Sequence, residues 1–542
     1  MHLVDRAAVA GLISPTVYGG VDRKRFIIET NGAGVALLDA DDDGWLDALV
    51  LSGTRLREDG RTALTWPAGA APTARLYRNR RDGTFEDVTR GSGFDRKVGW
   101  ASGVCAGDYD NDGRLDLFVT YFGHNVLYRN LGAGRFEDQT DARGLASRGA
   151  RWGSGCTFID YDADGRLDLF VANYLAFNLA TAPGPGEGPH CAWKGVSVNC
   201  GPRGLPTDTN LLYRNTGASF DDVSEASGIG RVTGRYSMSA VAADLDADDD
   251  VDIYVATDST AAILYRNNGN GTFTDVALET GAAYNSLGAP QAGMGLGVAD
   301  VNADGRLDIV KTHFADDIPA LYRALGAGLF EDVALSAGLA AENRFVQWGV
   351  GFPDLDNDGW PDLLYVTGNV YPEVEARLPQ YPHRSPRIVY RNRGDGRFEQ
   401  MSRRAGPGAI AAHSSRGAAF GDVDNDGDID VLVMNMNEPP SLLINTARPR
   451  HAWIGVRLRG TTANRRGLGA TVRVTAGGRT QSRAVLSQSS YYSHDELVVR
   501  VGLGLAKHAE RVEVRWPGGD VTVVDNLPAL RIHEIQQRHR RD

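Results

Sequence analysis

At 542 residues the chain exceeds an ordinary single domain, so either several domains or one repeat architecture with an appendage is expected. Its 66 glycines, 23% charged residues and lack of any apolar run near 18 residues exclude a helical membrane span and point to a turn-rich, mostly β protein. The formal charge of -12 comes with no basic run or nucleic-acid signature, and its source is one repeated phrase.

That phrase is clearest at Asp354-Leu355-Asp356-Asn357-Asp358-Gly359-Trp360-Pro361-Asp362. Its alternating carboxylates would repel one another unless a hard cation sat among them. Oxygen ligands at offsets 0, 2, 4 and 8, a Gly at offset 5 for the sharp turn and a backbone carbonyl at offset 6 are calcium-loop chemistry. An EF-hand would need a bidentate Glu at the twelfth position. Here that position holds Val50, Val119, Val171, Val255, Lys311, Tyr365 and Val433 within strand-like runs, so strands flank the ion.

The phrase occurs seven times, which predicts up to seven calcium ions, read as structural because coordinatively complete sites leave no open position for activating water. The first three ligand sets are Asp39, Asp41, Asp43 and Asp47; Asp108, Asp110, Asp112 and Asp116; and Asp160, Asp162, Asp164 and Asp168. The fourth and fifth are Asp244, Asp246, Asp248 and Asp252, then Asp300, Asn302, Asp304 and Asp308. The last two are Asp354, Asp356, Asp358 and Asp362, then Asp422, Asp424, Asp426 and Asp430. Asn302 stands where the pattern has Asp and can still coordinate. Asp249 replaces the turn Gly of the fourth loop and strains it, which predicts the weakest site. These loops hold 27 carboxylates, and seven divalent ions would bring the chain to about +2, so the acidity belongs to metal sites rather than to a partner-binding tail.

From the N-terminus onward each repeat carries an outer phrase such as Phe330-Glu331-Asp332-Val333, an acidic loop, and a phrase such as Leu264-Tyr265-Arg266-Asn267. Tight turns such as Asn268-Gly269-Asn270-Gly271 follow the third signal. Seven sets imply seven four-stranded units over residues 1–445, an all-β seven-bladed propeller of integrin-α-like type. The last unit lacks an outer phrase, and Leu3-Val4-Asp5-Arg6 can supply it and close the ring. The same N-terminus has no apolar core or cleavage site of a signal peptide.

Long connections at 51–75, 174–210 and 368–387, with those near 12–30, 91–99 and 230–236, emerge opposite the calcium loops and make that face the candidate binding surface. Cys191 and Cys200 bracket part of one insert, a spacing that suits a disulfide, with two free thiols as the alternative; Cys105 and Cys156 read as buried thiols. The strand register projects Trp100, Trp152, Tyr236, Trp348 and Arg416 from leading strands toward the axis. Tyr121, Asn173 and His313 lie near the same mouth at the ends of second strands, and such a funnel suits a small polar-aromatic or glycan ligand, with blade packing as the bland alternative. No nucleophile motif, phosphate loop or zinc spacing appears. Residues 446–535 change to alternating strand patterns of a small second β domain, and 536–542 form a polar tail.

The seven loops resemble the FG-GAP/VCBS repeats of integrin-α-like propellers. Asn464-Arg465-Arg466-Gly467-Leu468-Gly469-Ala470 and Arg515-Trp516-Pro517-Gly518-Gly519 resemble the ASPIC/UnbV domain. Together they resemble the cartilage-acidic-protein/UnbV family over essentially the whole chain, and Cys200-Gly201-Pro202-Arg203-Gly204-Leu205 is similar to its bacterial members. Two features depart from that pattern: Thr367-Gly368-Asn369-Val370-Tyr371-Pro372 stands where an Asn-Gly-His-Val-Tyr-Pro type phrase is expected, and no export signal is seen. The resemblance implies a secreted, periplasmic or cell-surface calcium protein, or a cytoplasmic one if no export signal exists. The leading expectation is a non-enzymatic module binding a glycan, matrix component, protein or small molecule, without nucleic acid. The alternative is an enzyme or intermediate-binding protein of natural-product, enediyne-like biosynthesis working in the central funnel.

Overall fold

The structure, a computed structural model, describes residues 1–57, 73–146, 149–447 and 451–538. Residues 58–72 of the first long connection, 448–450 at the expected domain junction and 539–542 of the expected tail lie outside the described residues. Strand makes up 41% of the chain and helix 5%, so the protein is all-β.

Among the described residues, the strands up to Asn445 form five four-stranded antiparallel sheets, one eight-stranded sheet that joins two further four-stranded units, and a two-stranded hairpin. In the fourth unit, Ser237–Ala243 leads into the acidic loop, Asp252–Thr257 leaves it, and Ile263–Asn267 and Phe273–Asp275 complete the sheet. The second and third units touch edge to edge where Arg151 and Trp152 pair with Gly123 and Phe122. The seventh takes its outer strand from the N-terminus, with Leu3 opposite Asn445. Leading strands stand side by side in ring order, and Ser415–Gly421 of the last unit packs against Val35–Leu38 of the first. The result is a closed β-propeller, an architecture that leaves few exposed sheet edges.

Second strands such as Asp168–Asn173 and Asp252–Thr257 are buried along their whole length because neighbouring units cover both faces. This explains their near-continuous apolar runs, which strict alternation would not give. A side-chain clasp joins one unit to the next. Asn130 Nδ2 donates to the Leu115 carbonyl of its own unit at 3.1 Å and to the Ala40 carbonyl of the preceding unit at 3.0 Å. Asn215, Asn267 and Asn392 repeat the pair of bonds, Asn79 does so from the first unit to Val423 of the seventh, and Asn445 reaches Leu355. The fifth unit has Ala324 in this place, and only its backbone N–H takes part, donating to Asp308 at 2.8 Å.

The C-terminal strands form a three-stranded sheet, in which Ala452–Arg459 lies between Val499–Gly504 and Arg531–Gln536, and a four-stranded sheet of Arg479–Ala484, Thr471–Ala476, His508–Arg515 and Val521–Pro528. Ile454, Val456, Val472, Val512 and Trp516 fill the space between them, in one apolar cluster with Phe118, Phe158 and Leu167 of the second and third units.

Both cysteine pairs are disulfides. Cys191–Cys200 closes the insert. Cys105 and Cys156, expected as separate thiols, are joined across two leading strands with their Cα atoms 5.8 Å apart. The separation of 51 positions along the chain hid a pairing that only neighbouring units create.

The clasp gives a direct test. Asn130→Ala removes the donor from two buried carbonyls and is expected to lower stability by about 1–3 kcal/mol, read as a lower urea midpoint at unchanged slope.

Candidate functional site

Each acidic loop has a repeated internal scaffold. The first carboxylate accepts the amides at the turn, as Asp160 does from Asp164 at 3.0 Å and Gly165 at 3.0 Å. The last accepts one amide from the loop and one from the third strand: Asp116 Oδ2 from Tyr109 at 3.2 Å and Oδ1 from Asn130 at 2.7 Å. The residue before the third-strand Asn supplies a cation to the outer rim, with Arg129 2.7 Å from Asp110, Arg214 2.8 Å from Asp162 and Arg391 3.2 Å from Asp356. The inner oxygens are left bare. Oδ1 of Asp41, Asp108, Asp162, Asp246, Asp354 and Asp356 is buried and accepts no hydrogen bond.

The aspartates that carry them belong to converging groups. In five loops, Asp39-Asp41-Asp43, Asp108-Asp110-Asp116, Asp160-Asp162-Asp168, Asp244-Asp246-Asp248 and Asp354-Asp356-Asp362, three carboxylate oxygens lie within 4.8 Å of one another. Burial, reinforced by neighbouring carboxylates, pushes the Asp116 and Asp354 carboxyls up to about 8, Asp160 to about 7 and Asp168 to about 9. Oxygen-only donors that converge, several of them buried with no hydrogen bond of their own, fit a hard divalent cation. In the fourth loop Asp249 takes the turn with φ of 74°, the left-handed region that Gly occupies in the other six. The loop keeps its amide bonds from Ala247, Asp248 and Asp249 to Asp244.

The C-terminal domain covers this face. Arg479 donates to the Asp358 carbonyl, Arg466 to the Gly113 carbonyl, and Arg515 and Arg500 meet Asp249 and Asp422 at 3.2 and 2.9 Å. From the same side, residues 487–496 run down the propeller axis and bond to leading strands. Ser490 exchanges both backbone bonds with Leu296, the His494 amide donates to Val35 while its carbonyl accepts from Leu37, and the Tyr492 carbonyl accepts from Val104. Side chains complete the pairing: Gln488 accepts from Cys156, Ser490 from Val350 and Asp495 from Phe420. A Cβ at Gly34 or Gly417 would run into Tyr492, Ser493 or the neighbouring strand, so the small residues near the axis accommodate this plug.

Among the residues assigned to the funnel the plug packs against Trp348, and the others are held by contacts within the propeller. Trp348 stacks under Arg416 at 4.1 Å and meets Tyr491 edge-on, while its indole N–H donates to Gly368. Arg416 is fully buried and spends its guanidinium on the Thr30 and Ser415 carbonyls; burial lowers it to about 9. Trp100 packs edge-on against Tyr18, and Trp152 against Phe122, Tyr174 and Phe177. Tyr236 donates to the Leu205 carbonyl, Asn173 to Thr209, and the Tyr121 ring lies under Lys97. His313 is held well below its usual range by burial and by the nearby Lys311. Of these eight side chains, Trp348 lines the cavity at the open mouth.

That cavity, about 400 Å³, lies at the starts of leading strands and the ends of second strands, the end opposite the acidic loops. The disulfide-closed insert of the third unit crosses the mouth above it. On its short hairpin, Trp193 meets Phe314, Tyr371 and Tyr381, and Lys194 pairs with Asp316 at 2.6 Å. Asn31, Tyr174, Asp258, Gln291, Met238 and Met294 line the space below. Sequence reasoning missed Trp193, Asp258 and Gln291 as neighbours, since they come from three different connections. It also missed the plug, whose only signal was a run of small polar residues around Tyr491-Tyr492 within a domain of alternating strands.

The FG-GAP-like repeat profile matches residues 39–119, 108–171, 244–310 and 354–433, and the ASPIC and UnbV profile matches 460–542. The chain belongs to the FG-GAP-like repeat family. In this FG-GAP-like protein the matched segments hold all seven acidic loops entire. It is 26% identical to cartilage acidic protein 1 of Homo sapiens over 449 residues, 78% of this chain and 61% of the relative. With the Mus musculus protein it shares 26% over 518 residues, 90% of this chain and 70% of the relative. The chain thus spans about three-fifths of the human protein. Among solved structures, a lectin of Agrocybe aegerita aligns with a TM-score of 0.38 and 16% identity over 76% of this chain and 87% of its own.

The raised carboxyls set the pH response of the metal-stripped protein. Their ordinary value is 3.8 and their folded values reach about 7 to 8 at Asp160, Asp116 and Asp354, so the folded state binds more protons between these limits. Stability is then greatest at the acid end and falls as pH rises from about 4 to 8. Calorimetry on dialysed, metal-stripped protein is expected to show a melting temperature that drops by several degrees over that range.

Proposed function

We propose that the chain is a calcium-stabilised, seven-bladed propeller, residues 1–445, with an ASPIC/UnbV-type domain over 446–535, and that it acts as a non-enzymatic binding module. The ligand, a glycan, protein or small molecule, is taken through the loops opposite the acidic face. One observation carries this reading. The C-terminal domain occupies the acidic face and fills the axis, leaving the far mouth, with its aromatic cavity and braced insert, as the concave surface open to a partner. Calcium is the cation that suits seven all-oxygen loops with turn geometry of this kind. Two disulfides support an oxidising, extracytoplasmic setting.

Mass spectrometry on protein purified without added calcium is expected to find close to seven calcium ions per chain, and chelation to lower the melting temperature by more than about 10 °C, because the ion binds only the folded loops. The face is tested separately. A polymer attached at Leu287→Cys, on the loop side, is expected to block capture of a ligand found on glycan and matrix-protein arrays. The same polymer at Leu505→Cys, on the C-terminal domain, should leave capture intact; both leucines are exposed, at 88% and 90%. Equal binding by both conjugates would overturn the loop-face assignment.

A further inference from the structure

We infer that the cavity beneath the disulfide-closed insert is a site for a neutral saccharide, the terminal unit of a glycan or a free oligosaccharide of one or two rings. The inference rests on the loop-face reading above and adds the chemical class of the ligand.

Size comes first. At about 400 Å³ the cavity falls within the span of small-molecule sites, about 300–1,000 Å³, and suits one or two sugar rings rather than a protein surface.

The polar lining then excludes a purely apolar guest. Gln291 gives its amide N–H to Asp317 at 3.0 Å and to the Ile318 carbonyl at 3.1 Å, which leaves Oε1 buried with no donor. Asn31 accepts from Thr30 Oγ1 at 3.3 Å, and its Nδ2 is buried with no acceptor. Both side chains are more than nine-tenths buried, and both line the cavity. An orphan donor and an orphan acceptor call for a ligand group that can both give and take a hydrogen bond, which is the property of a hydroxyl. Asp258 adds a third polar group. Tyr174 and Ser259 hold it at 2.7 and 2.9 Å, one on each oxygen, and each carboxylate oxygen keeps a lone pair for a further donor.

Charge excludes an acidic guest. Asp258 and Asp317 line the space with a single guanidinium, that of Arg203, so a sulfated or uronic sugar would meet net negative charge.

Ring geometry argues against a flat heteroaromatic. Trp193 meets Phe314 at 88° and Tyr381 at 75°, and Phe314 meets Tyr371 at 64°. These edge-on contacts frame no parallel slot for a base. They offer separate apolar faces to the C–H side of a pyranose while the planar amides and carboxylate take its hydroxyls.

The test uses the full, calcium-loaded chain and a panel of neutral and acidic mono-, di- and trisaccharides, read by saturation-transfer NMR and by tryptophan fluorescence. One or more neutral saccharides are expected to bind, and Trp193→Ala is expected to weaken binding by about tenfold or more at unchanged melting temperature. Ala315→Phe, a cavity-filling change at the rim, should abolish it and serves where the tryptophan variant does not fold. Binding of acidic saccharides alone, binding undiminished in both variants, or no saccharide binding at millimolar concentration would each overturn the inference. The loop-face reading survives those results if the Leu287 conjugate still blocks a different ligand, and falls only if it does not.

Discussion

A ring of sheets solves the problem of edges on its outside and creates one at its centre. Leading strands run along the axis, and buried amides there cost free energy unless something accepts from them. Residues 487–496 supply those acceptors, through the Ser490, Tyr492 and His494 backbone and through Gln488, Ser490 and Asp495 side chains. The segment belongs to the C-terminal domain, so the propeller axis and that domain are a single hydrogen-bonded structure. The apolar cluster that runs from Trp516 and Val512 into Phe118 and Phe158 makes the same connection through packing.

This arrangement assigns different work to the two ends of the ring. At one end the acidic loops are buttressed from outside by Arg129, Arg214 and Arg391 and from above by Arg466, Arg479 and Arg500, so cationic side chains offset the outer carboxylate oxygens and leave the inner ones for a cation. That end is repeated around the ring and lies under the C-terminal domain. The other end is irregular. Its connections differ in length, one is closed by Cys191–Cys200 and braced by Lys194 against Asp316, and the hydrogen-bonding capacity of Asn31 and Gln291 is not used up by the protein itself.

The fourth and fifth units show how much departure the repeat tolerates. Asp249 holds the turn in a left-handed conformation that costs an Asp less than most side chains, and the amide bonds to Asp244 persist. Ala324 forfeits the clasp between these two units but keeps the amide bond to Asp308, so the strand stays in register and loses only the tie to its neighbour. Both departures fall on the same side of the ring, and redundancy in the other units carries the closure.

Much of this protein was legible in its sequence because its determinants are local and repeated. The acidic loops, their flanking strands, the strand alternation of the C-terminal segment and the turn that Asp249 occupies depend on residues within about a dozen positions of one another, where backbone geometry and ligand spacing suffice. The inward register of Trp348 and Arg416 was also readable, since period two fixes the face of a strand. What those side chains meet was not. Tertiary structure alone decided that Tyr491 and Tyr492 fill the axis, that Cys105 reaches Cys156, and that Trp193, Asp258, Gln291 and Asn31 surround one cavity. Each of those contacts joins segments separated by tens to hundreds of residues, and no pattern along the chain records the distance that the ring closes between them.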